Sequence, residues 1–327
     1  MGEIEGAGAK GAIALTMGDP AGIGPEIVIK ALARLSGKAQ AGFYRVYGDE
    51  VLLRSMAGRH GLDNRFLKVV DCVRVPMGLK LGEISAAAGD AAFRAVRQAA
   101  LDVMAGKARA LVTAPLSKAA MNRAGHAFPG HTEILAELAG GRPVRMMLAN
   151  AELRTVLVSI HLPLKDALSS LSTAGILETI QLTDTFLRRT GIISPRIAVA
   201  GVNPHAGEDG LLGTEEQRII APAVRAAREA GIDASGPYPP DTVFMRARGF
   251  VHFDVVIAMY HDQGLIPVKY LGVDEGVNLT VGLPYVRTSP DHGTAFDIAG
   301  KDIAGPESML AAIEMAERLT PRRREAG

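Results

Sequence analysis

Only one cysteine, Cys72, occurs in this sequence, which rules out an intrachain disulfide and agrees with a reducing compartment. Between Asp71 and Val73 it reads as a small buried hydrophobe rather than a nucleophile. An excess of charge of one sign is also missing: 36 basic residues against 35 acidic ones leave a formal net charge of +1. No global field draws in nucleic acid or an anionic membrane, so any anion must be bound locally. No apolar run approaches the roughly 20 residues needed to span a bilayer. The first ten residues, with Glu3 and Glu5 among small ones, lack the basic and apolar regions of a signal peptide. Internal repeats and low-complexity segments are absent too. The expectation is a soluble cytoplasmic protein that engages neither nucleic acid nor membrane.

What is present is the composition of a globular enzyme, 48% hydrophobic and 22% charged over 327 residues, enough for one large α/β domain or two ordinary ones. Short β-rich runs alternate with longer amphipathic ones. Strands are expected at Ala12–Met17, Phe43–Tyr47, Ala110–Thr113, Arg145–Leu148, Thr155–Ile160, Arg196–Ala200 and Val255–Met259. Helices are expected from Pro25 through Leu32 and at Gly89–Ala105, Thr132–Leu138, Thr173–Arg188, Thr214–Ala230 and Glu307–Arg318. The alternation predicts a mostly parallel sheet with helices on both faces. From about Gly236 to Gly300 the sequence is rich in Gly, Pro, Asp and Thr and reads as a long functional loop region. Arg322–Glu325 reads as a solvated helix end.

Three of the eight histidines follow expected strands in turn-forming sequence: His161 in Ser159–Pro163, His205 in Asn203–Glu208 and His261 in Tyr260–Gly264. Ligands of open α/β sheets bind beyond the carboxyl ends of strands. Three imidazoles there could hold a divalent metal with an open position, or could be unrelated surface and capping residues, since no HExxH-like spacing supports a metal. Gly130-His131-Thr132-Glu133 opens a helical run and could bind an anion through free N–H groups, or simply cap the helix. Lys269, Asn278 and Arg287, nine residues apart, suit a phosphate and a carboxylate, though each alone reads as a surface residue. Asp291–Lys301 carries glycines and small residues that permit close approach to a flat ligand. The turn Gly18–Pro25 follows a strand and opens a helix, but Gly22-Ile23-Gly24 precedes Pro25 and Glu26 with no third glycine. It is therefore a rigid cleft-lining loop and not a dinucleotide fingerprint.

Together these segments resemble the 4-hydroxythreonine-4-phosphate dehydrogenase family of vitamin B6 synthesis, over nearly the whole chain. The resemblance implies a two-domain α/β/α fold similar to isocitrate and isopropylmalate dehydrogenases, with the active site in the interdomain cleft. The expected division is 1–130 plus 285–327 as the cofactor side, and 131–284 as the substrate, metal and dimerisation domain. It implies that His161, His205 and His261 hold one divalent metal (Zn, Mg, Co or Mn). It also implies that His131, Thr132, Lys269, Asn278 and Arg287 bind the substrate. His292, Gly293, Thr294, Ala295 and Asp297 match a stretch that lies beside the NAD adenosine in the related dehydrogenases, so they are the expected contacts for NAD or NADP. Family members are homodimers that share metal ligands between chains.

The implied reaction is oxidation and decarboxylation of 4-hydroxythreonine 4-phosphate to 3-amino-2-oxopropyl phosphate. A sister branch acts on D-threonate or D-erythronate 4-phosphate, giving dihydroxyacetone phosphate and carbon dioxide, and several segments here are similar to it. A third branch oxidises aromatic cis-dihydrodiols and needs no phosphate site; the His131-Thr132 pair and Arg287 argue against it. Asp262, Lys269, Asp241 and Lys118 are candidates for proton transfer, with a structural salt bridge or cap the competing reading for Asp262, Asp241 and Lys118. A metal-dependent phosphatase or aldolase, or a binding module, would use the same histidines without a nicotinamide cofactor.

Overall fold

The computed structural model describes residues 11–37, 43–272 and 275–320; the Arg322–Glu325 helix end lies outside them. In chain order the elements begin with β1 (Ala12–Thr16), α1 (Gly24–Leu35), β2 (Tyr44–Gly48), α2 (Glu50–Arg59), β3 (Val69–Asp71), α3 (Ala86–Met104), β4 (Ala108–Thr113), α4 (Lys118–Arg123) and α5 (His131–Leu138). There follow β5 (Arg145–Ala149), β6 (Arg154–Leu157), α6 (Leu164–Ser169), α7 (Thr173–Arg189), β7 (Ile197–Ala200), α8 (Ala221–Glu229), β8 (Ala234–Tyr238) and α9 (Val243–Ala247). The chain ends with β9 (Val255–Ala258), α10 (His261–Tyr270), β10 (Val277–Val281), β11 (Val286–Pro290) and α11 (Glu307–Leu319). Among the described residues no helix is long and apolar enough to cross a membrane.

Two compact units result, one from the chain up to Arg142 together with Leu283 onward, the other from Pro143 to Gly282. The first division therefore falls after Arg142, not after residue 130. The reason is that α5 packs on α3 of the first unit, which carries His131 and Thr132 with it. Strands of the first unit run β3-β2-β1-β4-β11, all parallel. Those of the second run β10-β5-β6-β9-β7-β8, parallel from β6 to β8 but antiparallel at β10/β5 and β5/β6. The expectation of a mostly parallel sheet thus describes the first unit better than the second.

Residue chemistry explains these elements. Every residue of β1 and β4 is buried, as strands covered on both faces require. Pro25 stands in the first turn of α1, where its missing N–H costs nothing. Buried Glu26 accepts from Lys30 Nζ at 2.7 Å and from the Ala304 backbone N–H at 3.0 Å, which ties α1 to the segment before α11.

The region 236–300 contains the expected strand at β9 and also α9, α10, β10 and β11. Helix α10 was concealed by Gly264 and Pro267, both poor helix formers. Gly264 is needed there, because a Cβ would stand 2.5 Å from Leu157 Cδ2 and 2.9 Å from Ala258 Cβ. Strand β11 was concealed by Arg287, Thr288 and Ser289, polar residues that the structure buries completely or nearly so. The expected helix Thr214–Ala230 is also altered. Pro222 has no N–H to give, and the chain widens into a π turn over Glu216–Ile220 before α8 begins. Cys72 is half-buried and burial pushes its thiol up to about 11, consistent with an inert side chain.

Candidate functional site

In the first unit, the start of α5 gathers positive charge. Gly130 precedes His131 with extended backbone, and Thr132 and Glu133 complete the first turn. His131 is part-exposed as a residue, yet its Nε2 is buried and has no hydrogen-bond partner. Burial first, then the charges of Arg287 and Lys118, hold its pKa well below the usual histidine value. It is a neutral imidazole at neutral pH. Arg287 on β11 is 3% exposed and donates from Nε and Nη2 to Thr113 Oγ1 at the end of β4, at 3.2 and 2.5 Å. Burial brings its guanidinium down to about 10, still charged. Just before β11, Tyr285 is buried with its hydroxyl unpartnered; burial raises that phenol to about 12. Exposed Lys118 follows the N-cap Ser117 of α4. A buried neutral imidazole, a buried guanidinium and an ammonium group near a helix N-terminus form an anion-binding set.

Beneath the Gly18–Gly24 turn, Asp19 is fully buried. Its Oδ1 accepts from the Ala21 N–H at 2.8 Å, while Oδ2 has no partner. Burial raises its carboxyl to about 6. The outer side of that turn receives the Asp291–Lys301 segment: Ile23 N–H donates to Thr294 O at 3.0 Å, and a Cβ on Gly22 would lie 2.8 Å from the same oxygen. On the exposed side His292 and Gly293 face solvent, and nothing lies within 4 Å of a Cβ position on Gly293. Ala295 takes φ 44°, a left-handed conformation that costs an L-residue about 1 kcal/mol or more. The segment is thus open to solvent at His292 and Gly293 and anchored through Thr294.

In the second unit the three histidines lie beyond the carboxyl ends of β6, β7 and β9. His161 and His261 are neighbours, ring centroids 5.7 Å apart, and line one cavity of about 270 Å³ with Ile160, Leu162, Tyr260 and Asp262. His261 Nδ1 pairs with Asp262 Oδ1 at 2.7 Å, which leaves Nε2 as the nitrogen able to take a ligand. Gln263 fixes this corner: its Oε1 accepts from Met259 N–H at 2.6 Å and its Nε2 donates to Gly201 O at 2.7 Å. His205 lies elsewhere, on an exposed turn that lines a separate cavity with Glu208, Asp209 and Gln217. Among the described residues no three metal-ligating side chains stand together. The imidazole pair could supply two ligands to a metal ion.

The turn carrying His205 is unusual. From His205 to Asp209 five consecutive residues have left-handed φ, at 51, 54, 81, 44 and 53°, and only Gly207 adopts it without a steric cost. Lys269 sits near the other end of α10 from His261, eight residues on and so about 12 Å along the axis. Asn278 is on β10, and exposed Asp241 is in the turn before α9. Thr113, Tyr285, Asp19, Gln263 and Glu216 carry no signal that would have singled them out, except that Asp19 and Gln263 fall inside quoted motifs.

Two α/β units bearing an anion-binding helix start and a paired-imidazole cavity define an enzyme scaffold suited to a phosphorylated substrate. The family model for pyridoxal phosphate biosynthetic protein PdxA matches residues 27–316. A 4-hydroxythreonine-4-phosphate dehydrogenase of Beijerinckia indica is 48% identical, with 94% of each chain covered. A D-threonate 4-phosphate dehydrogenase of Pectobacterium atrosepticum is 46% identical over 94% of this chain and 98% of its own. The crystal structure of 4-hydroxythreonine-4-phosphate dehydrogenase from Klebsiella pneumoniae superposes with a TM-score of 0.88 at 46% identity, covering 95% of this chain and all of that one. The chain belongs to the PdxA family, and its relatives at this distance are named as dehydrogenases.

Proposed function

We propose that this chain oxidises and decarboxylates 4-hydroxythreonine 4-phosphate to 3-amino-2-oxopropyl phosphate in vitamin B6 biosynthesis, in the cytoplasm, using a divalent metal and NAD or NADP. The observation that carries this is the buried His131 Nε2 without a partner, beside Arg287 and Lys118 at the start of α5. A phosphate monoester supplies the acceptor oxygens that such a place lacks. The relatives also favour a second reading, because D-threonate 4-phosphate dehydrogenases match at 46% against 48% for the first name. On that reading D-threonate or D-erythronate 4-phosphate gives dihydroxyacetone phosphate and carbon dioxide by the same steps.

In either case Arg287, His131 and Thr132 anchor the phosphate, and Lys269 and Asn278 are further candidate substrate contacts. His161 and His261 hold the metal, and His205 from a second copy completes the set. Apolar residues support such a homodimer: Leu162, Leu164 and Leu168 are exposed around the pair, Ile266 and Tyr270 along α10, and Leu211 and Leu212 just after the His205 turn. Apolar surface beside both halves of one ligand set is what a self-complementary interface presents. Zinc, cobalt, manganese and magnesium all accept this donor set when substrate oxygens complete it. Bound there, the ion would supply Lewis acidity to a substrate oxygen. His292, Gly293, Thr294, Ala295 and Asp297 would hold the nicotinamide cofactor, whose chemistry there would be hydride acceptance. Asp262 orients His261 through Nδ1 and is the nearest carboxylate able to move a proton; Lys269 and Asp241 are the other candidates, and Lys118 stands with the anion site.

The test is an absorbance assay for reduced nicotinamide with metal-loaded protein. It compares 4-hydroxythreonine 4-phosphate with the D-threonate and D-erythronate 4-phosphates, each with NAD and with NADP. Preference for the amino acid supports the first reading, and preference for a sugar acid the second. No turnover with any of them overturns the phosphate assignment or the dehydrogenase chemistry.

A further inference from the structure

We infer that Glu216 is the positioning residue for His205, holding the left-handed turn that presents the imidazole and thereby setting metal affinity without touching the metal. The inference rests on the proposed metal site. Glu216 is 2% exposed, at the head of the π turn. Its Oε1 accepts from two successive backbone N–H groups, Val202 and Asn203, both at 2.7 Å, and its Oε2 accepts from Asn203 Nδ2 at 2.9 Å. Asn203 Nδ2 also reaches Glu215 Oε2 at 2.7 Å. The carboxylate therefore grips the two residues that lead into Pro204 and His205.

On the far side it packs where only glycine fits: a Cβ on Gly207 would lie 2.7 Å from Glu216 Oε2 and 3.0 Å from Gly213 O. One buried side chain thus contacts the turn before and after His205. Four of the five left-handed residues are not glycine, so the conformation needs something to hold it. Glu216 is the buried acceptor placed to do so. The widened turn beginning at Glu216 results from Pro222, and such π turns recur at functional sites. A glutamate at a helix start is ordinary in sequence; its role shows only from where its oxygens point.

Cobalt(II) titration of the purified protein, followed by the visible absorption of the bound ion and by equilibrium dialysis, tests this without reference to turnover. Glu216→Gln turns one acceptor into a donor that faces the Asn203 amide. It should weaken cobalt binding roughly 10-fold to 100-fold, the range for partners that orient a ligand, with unchanged far-ultraviolet circular dichroism. Adding Ala206→Gly, which removes the side chain from a residue at φ 54°, should restore part of that loss, because glycine takes the left-handed conformation without the steric cost. Asn203→Ala should act in the same direction with a smaller effect, and decides the matter if the glutamine variant does not fold. His205→Ala is the control. If it binds cobalt normally, the metal reading fails. If it loses cobalt while the Glu216 and Asn203 variants bind like the parent, or if Ala206→Gly deepens the defect, the positioning role is overturned.

Discussion

The two units prepare their chemistry in opposite ways. In the first, the anion-binding groups are finished by packing within one chain: Arg287 is buried against Thr113, and His131 Nε2 is buried and waiting for an acceptor. In the second, His161 is exposed, His261 is half-exposed, and His205 stands apart on a turn of left-handed residues. The first arrangement is costly, because it keeps a charge and an unpartnered ring nitrogen out of water. The second costs little solvation, and it leaves apolar surface exposed beside each part. A buried site can be built by one core, whereas the proposed metal ligands, being exposed and apart, are proposed to meet across a dimer.

Subunit mixing bears most directly on that contrast. His205→Ala and His261→Ala should each lower turnover on the order of 1000-fold, the scale of several kcal/mol of lost Lewis-acid stabilisation. Unfolded and refolded together in equal amounts, the two inactive proteins should recover about a quarter of the parent activity, since half the dimers are mixed and each has one intact site. A mixture that stays inactive would mean that one chain supplies all three ligands, and the contrast between the units would collapse. The anion site gives a smaller effect of a different kind. Arg287→Ala should raise KM for the phosphorylated substrate roughly 50-fold with little change in kcat, the loss expected of charge-assisted hydrogen bonds remote from the reacting carbon. A loss in kcat alone would remove Arg287 from phosphate binding. In the same assay Arg287→Lys should recover only part of the affinity, because an ammonium cannot reproduce the guanidinium fork.

What could be read from sequence follows the same division. The helix start at Gly130–Glu133 was legible because helix N-termini obey a local grammar of caps and free N–H groups. The positions of His161, His205 and His261 were legible as turns that follow strands. Their grouping was not, because ring-to-ring proximity depends on strand order: β6 and β9 are adjacent while β7 lies on the far side of β9. Helix α10 was lost to Gly264 and Pro267, whose poor propensity is overridden by close packing on Leu157 and Ala258. Strand β11 was lost because three of its buried residues, Arg287, Thr288 and Ser289, are polar. The left-handed turn had a partial signature in Gly207 and Gly210, but nothing in Ala206, Glu208 or Asp209 announces it. Local rules found the residues that begin elements, and only tertiary packing showed which of them meet.

The smallest expected effect concerns what the first unit gives up in stability for its buried polar groups. Asp19 is fully buried with Oδ2 unpartnered, and burial lifts its pKa from 3.8 to about 6. Below the lower value the carboxyl is protonated in both folded and unfolded chains and contributes nothing to pH dependence. Between the two values the unfolded chain ionises while the folded one keeps its proton, so stability from this group falls as pH rises. Above about 6 the loss is complete, and it amounts to about 2 kcal/mol once relaxation around the carboxylate is allowed for. His131 works in the opposite direction, since its depressed pKa withdraws stability as pH falls below the ordinary histidine range. The whole-protein profile therefore mixes the two, and the comparison must be made against a variant. Asp19→Asn keeps the acceptor for the Ala21 N–H and removes the charge. Its stability advantage over the parent in urea should be near zero at pH 4, grow through pH 6 and level off by pH 7. A constant difference across that range would show that the buried carboxylate carries no such penalty, and that the first unit's finished site is less costly than its geometry indicates.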